Sequence, residues 1–375
     1  MKPIYLDNHT ATRPHKEAIK KWVEVQQDQY ASCLASHQMG QELVALNNSC
    51  QKKIYDLFGA KETHQFLFTS SGADAVFQFL HSHYLNYIRH TGKSQIITTF
   101  QEDPSIVLGI ERLEELGCLK KIAPLSPSGY LTAELLEKTI TPRTSLVSIS
   151  WANGLTGVIH PIEELIEVCQ AHGVRLHVDA SYLIGKLLFR LDALSVDFLT
   201  FDGAVLHAPI GTGGLWVSGK APFRSTAAQQ RAPNVAAFVS MTEALMKSFS
   251  LTDHQVTEVA RLRDRFERGI QREFPDAEIL FQESRRVPGS SVISFPGMCA
   301  EALLYLLQKS GLYANCERGY VQRMGGTLKA IGVDPFLAGS SVSFALSYET
   351  TEVEVERAIS LIVQKADELR RISVC

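Results

Sequence analysis

Short apolar runs alternate with longer amphipathic stretches along most of the 375-residue chain. The apolar runs predict strands, and the amphipathic stretches predict helices. Strands are predicted at 65–69, 95–99, 119–123, 144–150 and 174–179. Two more strands, at 289–295 and 342–346, and a final helix at 352–370 predict a smaller α/β part at the C-terminal end.

The strand at 174–179 is largely apolar until it ends in Asp179. Such a run is typical of a parallel strand whose sheet is covered on both faces. A carboxylate at the carboxyl end of this kind of strand lies where α/β sheets bind their ligands. Asp179 is therefore a candidate ligand-binding residue.

A second candidate follows the strand at 65–69, which runs through Ser70 and Ser71 into Gly72, Ala73 and a predicted helix. A turn of small residues at a helix start suits a phosphate, because free backbone N–H groups and the helix dipole point towards it. Many α/β proteins have such a turn, so this pattern alone does not decide the function.

The composition narrows the class of protein. A hydrophobic fraction of 45%, a charged fraction of 21% and a net charge of -3 are ordinary for a globular protein. They give no sign of a nucleic-acid surface, and no apolar run is long enough to cross a membrane. The seven cysteines form no Cys-x-x-Cys pair and the N-terminus lacks a signal-peptide core, so we expect a cytoplasmic protein.

Several motifs together resemble the cysteine desulfurases, in the class V aminotransferase branch of the pyridoxal-phosphate (PLP) enzymes. They are the opening Tyr-Leu-Asp-Asn at 5–8, Thr-Gly-Val-Ile at 156–159, His-Val-Asp-Ala at 177–180 and Ser-Phe-Pro-Gly at 294–297. The resemblance implies the fold-type-I PLP-transferase architecture, with a mostly parallel seven-stranded sheet between helices. It further implies a large domain at 15–250, a small domain made of 1–14 and 251–375, and a homodimer.

The family's cofactor residues are replaced at most positions of this sequence. Where the resemblance places the lysine that carries PLP, the chain has Val205, and the phosphate-binding serine and histidine are Asp202 and Ala204. The phosphate-binding threonine is Ala73, and the residues that contact the PLP ring are Asp103, Gly154 and Tyr182. Asp179, which pairs with the pyridine nitrogen in the family, is kept.

These replacements predict that no covalent PLP aldimine forms, and that PLP binds weakly or not at all. Without the lysine no amine is in place for the Schiff base. Asp202 also adds a negative charge beside the phosphate, at a cost of about 4 kcal/mol per charge pair at ~4 Å and an effective dielectric of about 20. For Asp103, we predict a helix cap before Pro104. Lys186 resembles a lysine that lies outside the family's site.

Two further positions bear on the substrate. Cys316 falls where desulfurases have the mobile-loop cysteine that accepts sulfur, although a chance thiol in a loop explains it as well. The family's arginine that holds the substrate carboxylate is Ser343, and one hydroxyl cannot replace a bidentate guanidinium.

Three hypotheses remain for the function. The first is a pseudoenzyme that acts as a scaffold or regulator, with a desulfurase or an iron–sulfur assembly protein as a possible partner. The second is an active PLP-dependent desulfurase that passes sulfur through Cys316 and uses another amine. The third is an acidic pocket, formed by Asp103, Asp179, Asp202 and His207, that binds a metal or a cationic ligand.

Overall fold

A computed structural model describes residues 2–100, 102–224, 234–319 and 321–373 of the chain. Its centre is a seven-stranded sheet of strands β2 to β8, in the order β2-β8-β7-β6-β5-β3-β4. The strands are β2 (Gln65–Thr69), β3 (Gln95–Thr99), β4 (Leu119–Ala123), β5 (Thr144–Ser150), β6 (Arg175–Asp179), β7 (Phe198–Asp202) and β8 (Gly213–Val217). Only β8 runs against its neighbours, so the mostly parallel sheet predicted above is confirmed.

Helices cover both faces of this sheet, and two apolar cores lie beneath them. All seven residues of β5 are buried, as expected for a central parallel strand. The helices up to residue 250 are α1 (Lys16–Asp28), α2 (Gln38–Phe58), α3 (Gly72–His83), α4 (Arg89–Thr91), α5 (Pro104–Glu114), α6 (Ala133–Thr139), α7 (Ile162–Ala171) and α8 (Val235–Ser250).

A separate apolar core holds the C-terminal part together with the N-terminal arm. Its strands are β1 (Ile4–Tyr5), β9 (Glu278–Leu280), β10 (Ser290–Ser294), β11 (Leu312–Tyr313), β12 (Glu317–Arg318), β13 (Gln322–Arg323) and β14 (Ser341–Ala345). Its helices are α9 (Thr252–His254), α10 (Ala260–Glu273), α11 (Ala300–Lys309), α12 (Met324–Ala330), α13 (Pro335–Gly339) and α14 (Glu352–Ser373). Leu155 packs in this core too, so the predicted domain limits at 15 and 250 stay a prediction.

The arm is fixed by strand pairing. β1 pairs with β11 in parallel, and Asp7 bridges to Ala345 of β14. The sequence at 1–14 predicts only an extended arm, because its partners lie about 300 residues away and local pattern cannot show them. Among the helices described, none is long and apolar enough to span a membrane.

Candidate active site

The floor of the site is Asp179, at the carboxyl end of β6. Its carboxylate accepts a hydrogen bond from the Thr200 hydroxyl at 2.7 Å and one from the Ser181 N–H at 3.1 Å. Burial raises the pKa of Asp179 to about 6, and the negative charge of Asp103 adds to the rise. Asp179 thus lies at the carboxyl end of its strand, as the sequence predicts, and its role in binding a ligand stays a prediction.

A second buried acid, Glu102, lies close to Asp179. It accepts a hydrogen bond from the Thr99 hydroxyl at 2.7 Å and one from the Ser150 N–H at 2.6 Å. Burial raises its pKa to about 7, and the charge of Asp179 contributes. No motif of the sequence predicts a role for Glu102, although it follows β3 at the edge where β6 ends.

Changing Glu102 to glutamine tests the effect of burial on the pKa of this carboxyl. The pKa of Glu102 is raised above the usual carboxyl value of 4.5, so the folded state holds a proton that the unfolded state has lost. Its contribution is fully present below pH 4.5 and is lost as the pH rises through about 7. We expect Glu102→Gln to stabilise the fold by on the order of 1–2 kcal/mol at pH 8 and by less at pH 5.

Urea unfolding of both proteins at the two pH values measures this difference. Glutamine can accept from Ser150 and donate to Thr99, so the hydrogen bonds have a replacement. Equal destabilisation of the variant at both pH values would contradict a protonated Glu102.

The phosphate-type turn at the start of α3 is occupied by a side chain of the protein itself. The Gly72 N–H donates to one carboxylate oxygen of Asp202 at 2.8 Å, and the Ala204 N–H donates to the other at 2.8 Å. A Cβ on Gly72 would lie 2.8 Å from the Cβ of Asp202, so only glycine allows this approach. Asp202 thus takes the position at the helix N-terminus where an anion binds.

Tyr182, at one of the positions predicted to contact the PLP ring, packs against Arg318. Tyr182 is 1% exposed, and the guanidinium carbon of Arg318 lies 5.0 Å from the centroid of its ring. A Cβ on Gly154 would lie 2.7 Å from the Tyr182 hydroxyl and 2.8 Å from Arg318 Nη1. Gly154 therefore has to be glycine because these two side chains lie against its backbone.

Asp103 completes this arrangement. Its carboxylate caps α5 by accepting from the Ser105 N–H at 2.9 Å, which confirms the predicted cap. The other carboxylate oxygen accepts from Arg318 Nη1 at 2.7 Å. Asp103, Gly154 and Tyr182 are thus replacements that fit one another around Arg318. This role of Arg318 was not predicted from the sequence, because Arg318 comes from β12 in the C-terminal part.

An open cleft of about 520 Å³ lies outside this group. Its apolar wall comes from α3 and α5, with Ala73, Phe77 and Leu108, and its polar wall includes Asn315 and Arg318. Arg318 thus lines this cleft and also lies over the Tyr182 ring.

Val205 stands where the resemblance places the PLP-binding lysine, and it lies in the apolar core. Val205 ends a short 3₁₀ turn at Gly203–Val205 and is 2% exposed. The carbonyl of Ala204 accepts from the N–H and the hydroxyl of Thr12, both at 2.8 Å. This contact joins the turn to the N-terminal arm.

The structure does not favour Cys316 as a sulfur acceptor. The thiol is 7% exposed and packs in the core of the C-terminal part, not in an open loop. Burial raises its pKa to about 12, and the charges of Glu301 and Glu317 add to the rise, so almost no thiolate is present at neutral pH. Ser343 donates to the Leu155 carbonyl at 2.5 Å and offers nothing to a substrate carboxylate.

The acidic-pocket hypothesis is not supported either. Asp103 pairs with Arg318, Asp202 accepts from backbone N–H groups and His207 contacts the Arg13 carbonyl. Asp179 accepts from Thr200 and Ser181, so each of the four residues already has a partner within the protein. No group of three metal-ligating side chains occurs in the described part of the chain. Lys186, expected outside the site, has its Nζ 5.9 Å from the Tyr182 ring centroid and so lies at the site's edge.

Comparison with known proteins decides the family. The family model described as "Aminotransferase class-V" matches residues 4–316. The chain belongs to the class-V aminotransferase family. It is 29% identical over 385 residues to a cysteine desulfurase of Trichormus azollae, covering 100% of this chain and 95% of that one. It is 28% identical over 389 residues to the cysteine desulfurase NifS of Azotobacter vinelandii, with the same coverage.

A solved structure named "NIFS-LIKE PROTEIN" has the same fold. Its TM-score is 0.90 at 25% identity, and the match covers 98% of this chain and 100% of that one. The predicted fold class and the family are both confirmed. This class-V aminotransferase homologue thus aligns over its whole length with relatives named as cysteine desulfurases.

Proposed function

We propose that this class-V aminotransferase homologue is a pseudoenzyme that has lost PLP aldimine chemistry and works through binding. The observation that carries the proposal is that its own side chains occupy both ends of the cofactor site. Asp202 accepts from the N–H groups of the phosphate turn, and Tyr182 with Arg318 fills the space beside Gly154. The residues present therefore do not fit PLP.

The physical cost of PLP binding supports this proposal. A phosphate at the α3 N-terminus would have to displace the Asp202 carboxylate or lie beside it, and like charges in contact repel strongly. A pyridine ring would have to displace the buried Tyr182 ring, whose removal from the core costs several kcal/mol. Val205 offers no amine in return.

The first test is an absorbance spectrum of the purified protein after incubation with excess PLP, before and after borohydride reduction. We expect no visible aldimine band and no mass increase on reduction. A band that becomes covalently fixed would overturn the proposal, and peptide mapping would then identify the lysine. Lys186→Met is the matched variant, because the Lys186 amine lies 5.9 Å from the centroid of the Tyr182 ring.

The relatives' names favour a second candidate, an active cysteine desulfurase. It requires a reactive thiol and an amine for PLP, and the buried Cys316 and Val205 provide neither. Sulfide release from L-cysteine in the presence of PLP and a thiol reductant distinguishes the candidates, since the pseudoenzyme releases none.

The binding role needs a partner. The family resemblance supports a homodimer, an iron–sulfur assembly protein or an authentic desulfurase as a heterodimer partner, in the cytoplasm. Sedimentation of the protein alone and mixed with a desulfurase measures which of these assemblies forms.

A further inference from the structure

A cavity of about 320 Å³ lies between the central sheet's helices and the C-terminal part, and it shares no lining residue with the cleft beside Arg318. One wall comes from the segment before α6 and from the start of α7, and the other comes from residues 283–285, after β9. The Ile159 N–H donates to the Arg285 carbonyl at 2.9 Å, and the Ser284 hydroxyl donates to the Ser128 carbonyl at 3.0 Å. These bonds join the two walls, so the cavity is formed before any ligand enters.

The cavity contains a buried donor that the protein leaves unused, the imidazole of His160. This residue lines the cavity and is 2% exposed. Its Nδ1 accepts from the Leu131 N–H at 2.9 Å, and burial lowers its pKa to about 4, so the ring is neutral at pH 7 and its proton is on Nε2. Among the described residues none accepts from Nε2, and this nitrogen is not sealed from solvent. The Nε2–H is therefore a fixed donor for a ligand in the cavity.

The rim of the cavity carries charges of both signs. Arg285, Glu283 and Glu164 line it, and none of the three forms an ion pair within the described ranges. Pro161, the N-cap residue of α7, also lines the cavity and provides no side-chain cap for that helix. Arg285 and the helix start favour an anionic group, whereas the two glutamates favour a cationic one.

We propose that this cavity binds a free α-amino acid in its zwitterionic form. The carboxylate accepts from the Nε2–H of His160 and pairs with Arg285. The ammonium group pairs with Glu164 and Glu283, and Ile159 supplies apolar surface for the side chain. A ligand with a single charge would leave rim charges of the opposite kind without a partner, which disfavours it. This binding needs no PLP, so it does not depend on whether the cofactor position is filled.

The test is a titration of the full-length protein, labelled with ¹⁵N at its histidines and followed by NMR of the imidazoles. The probe is L-leucine at up to about 20 mM, which saturates a site of millimolar Kd. We expect the Nε2 resonance of His160, identified by its absence in His160→Asn, to move saturably. Isocaproate and isoamylamine are the matched ligands, because they are leucine without its ammonium group and without its carboxylate. Each should bind at least about tenfold more weakly, since each loses one charge-assisted contact.

Arg285→Met tests the carboxylate end, and the fold should tolerate it because Arg285 is exposed. We expect it to weaken L-leucine binding about tenfold and to leave isoamylamine binding unchanged. The control is Arg89→Met, which removes an exposed arginine of α4 outside the cavity and should bind L-leucine like the wild type.

A His160 resonance that stays in place in the wild type at the highest L-leucine concentration would overturn the proposal, whether or not any variant folds. Equal affinity for isocaproate would show a site for carboxylates in general and would overturn it as well. Unchanged L-leucine affinity in Arg285→Met would mean that the carboxylate does not bind at this rim, with the same consequence.

Discussion

Replacing Tyr182 with alanine is expected to destabilise the fold by about 3–5 kcal/mol, which is the usual cost of removing a buried aromatic ring. The ring is 1% exposed and contacts His9 at 5.6 Å between ring centroids and Arg318 at 5.0 Å. Its loss leaves a ring-sized space beside the Arg318 guanidinium, which keeps its hydrogen bond to Asp103. Urea unfolding at pH 7 measures the change.

Tyr182→Phe is the matched control, because it keeps the ring and removes only the hydroxyl, and it should cost less than about 1.5 kcal/mol. The vacated space gives a second measurement. Phenol should raise the melting temperature of Tyr182→Ala and not of the wild type, since a ligand that binds only the folded state stabilises it. If the alanine and phenylalanine variants were equally stable, Tyr182 would not fill the site.

The same experiment tests whether the replacements in the site depend on one another. If Tyr182 holds Arg318 and Asp103 in place, its loss affects two groups from opposite sides of the cleft. The replacements at Asp103, Gly154 and Tyr182 then act as one structural unit, and single reversals towards the family residue would be destabilising. A site that merely decayed would tolerate such reversals.

The sheet was predictable in part from local pattern, which indicated five of its seven strands. Its mostly parallel, seven-stranded arrangement was implied by the family resemblance. The place of Asp179 was predictable because it is the polar residue that ends a largely apolar strand. The cap at Asp103 was readable from the proline after it.

The group formed by Asp103, Tyr182 and Arg318 was not predictable, because it depends on contacts between distant segments. Arg318 lies 215 residues from Asp103 along the chain, and no local pattern joins them. The same limit applies to Cys316, whose burial is set by packing of the C-terminal core rather than by its neighbours in sequence. Asp202 shows the limit most clearly: the sequence indicates a charge hostile to phosphate, whereas the structure shows that this charge has its own partners.

Replacing Asp202 with alanine should therefore have two effects. It removes two charge-assisted hydrogen bonds from backbone N–H groups, and we expect a loss of about 2–4 kcal/mol in the free energy of unfolding. It also frees the Gly72 N–H at the start of α3, where the helix dipole favours an anion. Inorganic phosphate should then raise the melting temperature of Asp202→Ala and have little effect on the wild type.

The comparison is made against chloride at the same ionic strength, so that general screening is equal in both solutions. Asp202→Asn is the matched variant: it keeps one acceptor oxygen for a backbone N–H, fills the same space and carries no charge. It should lose less stability than the alanine variant and respond little to phosphate, because its side chain still covers Gly72. Equal responses of wild type and Asp202→Ala to phosphate would mean that the carboxylate does not stand in the anion position. The exclusion of PLP would then have to rest on Tyr182 and Arg318 alone.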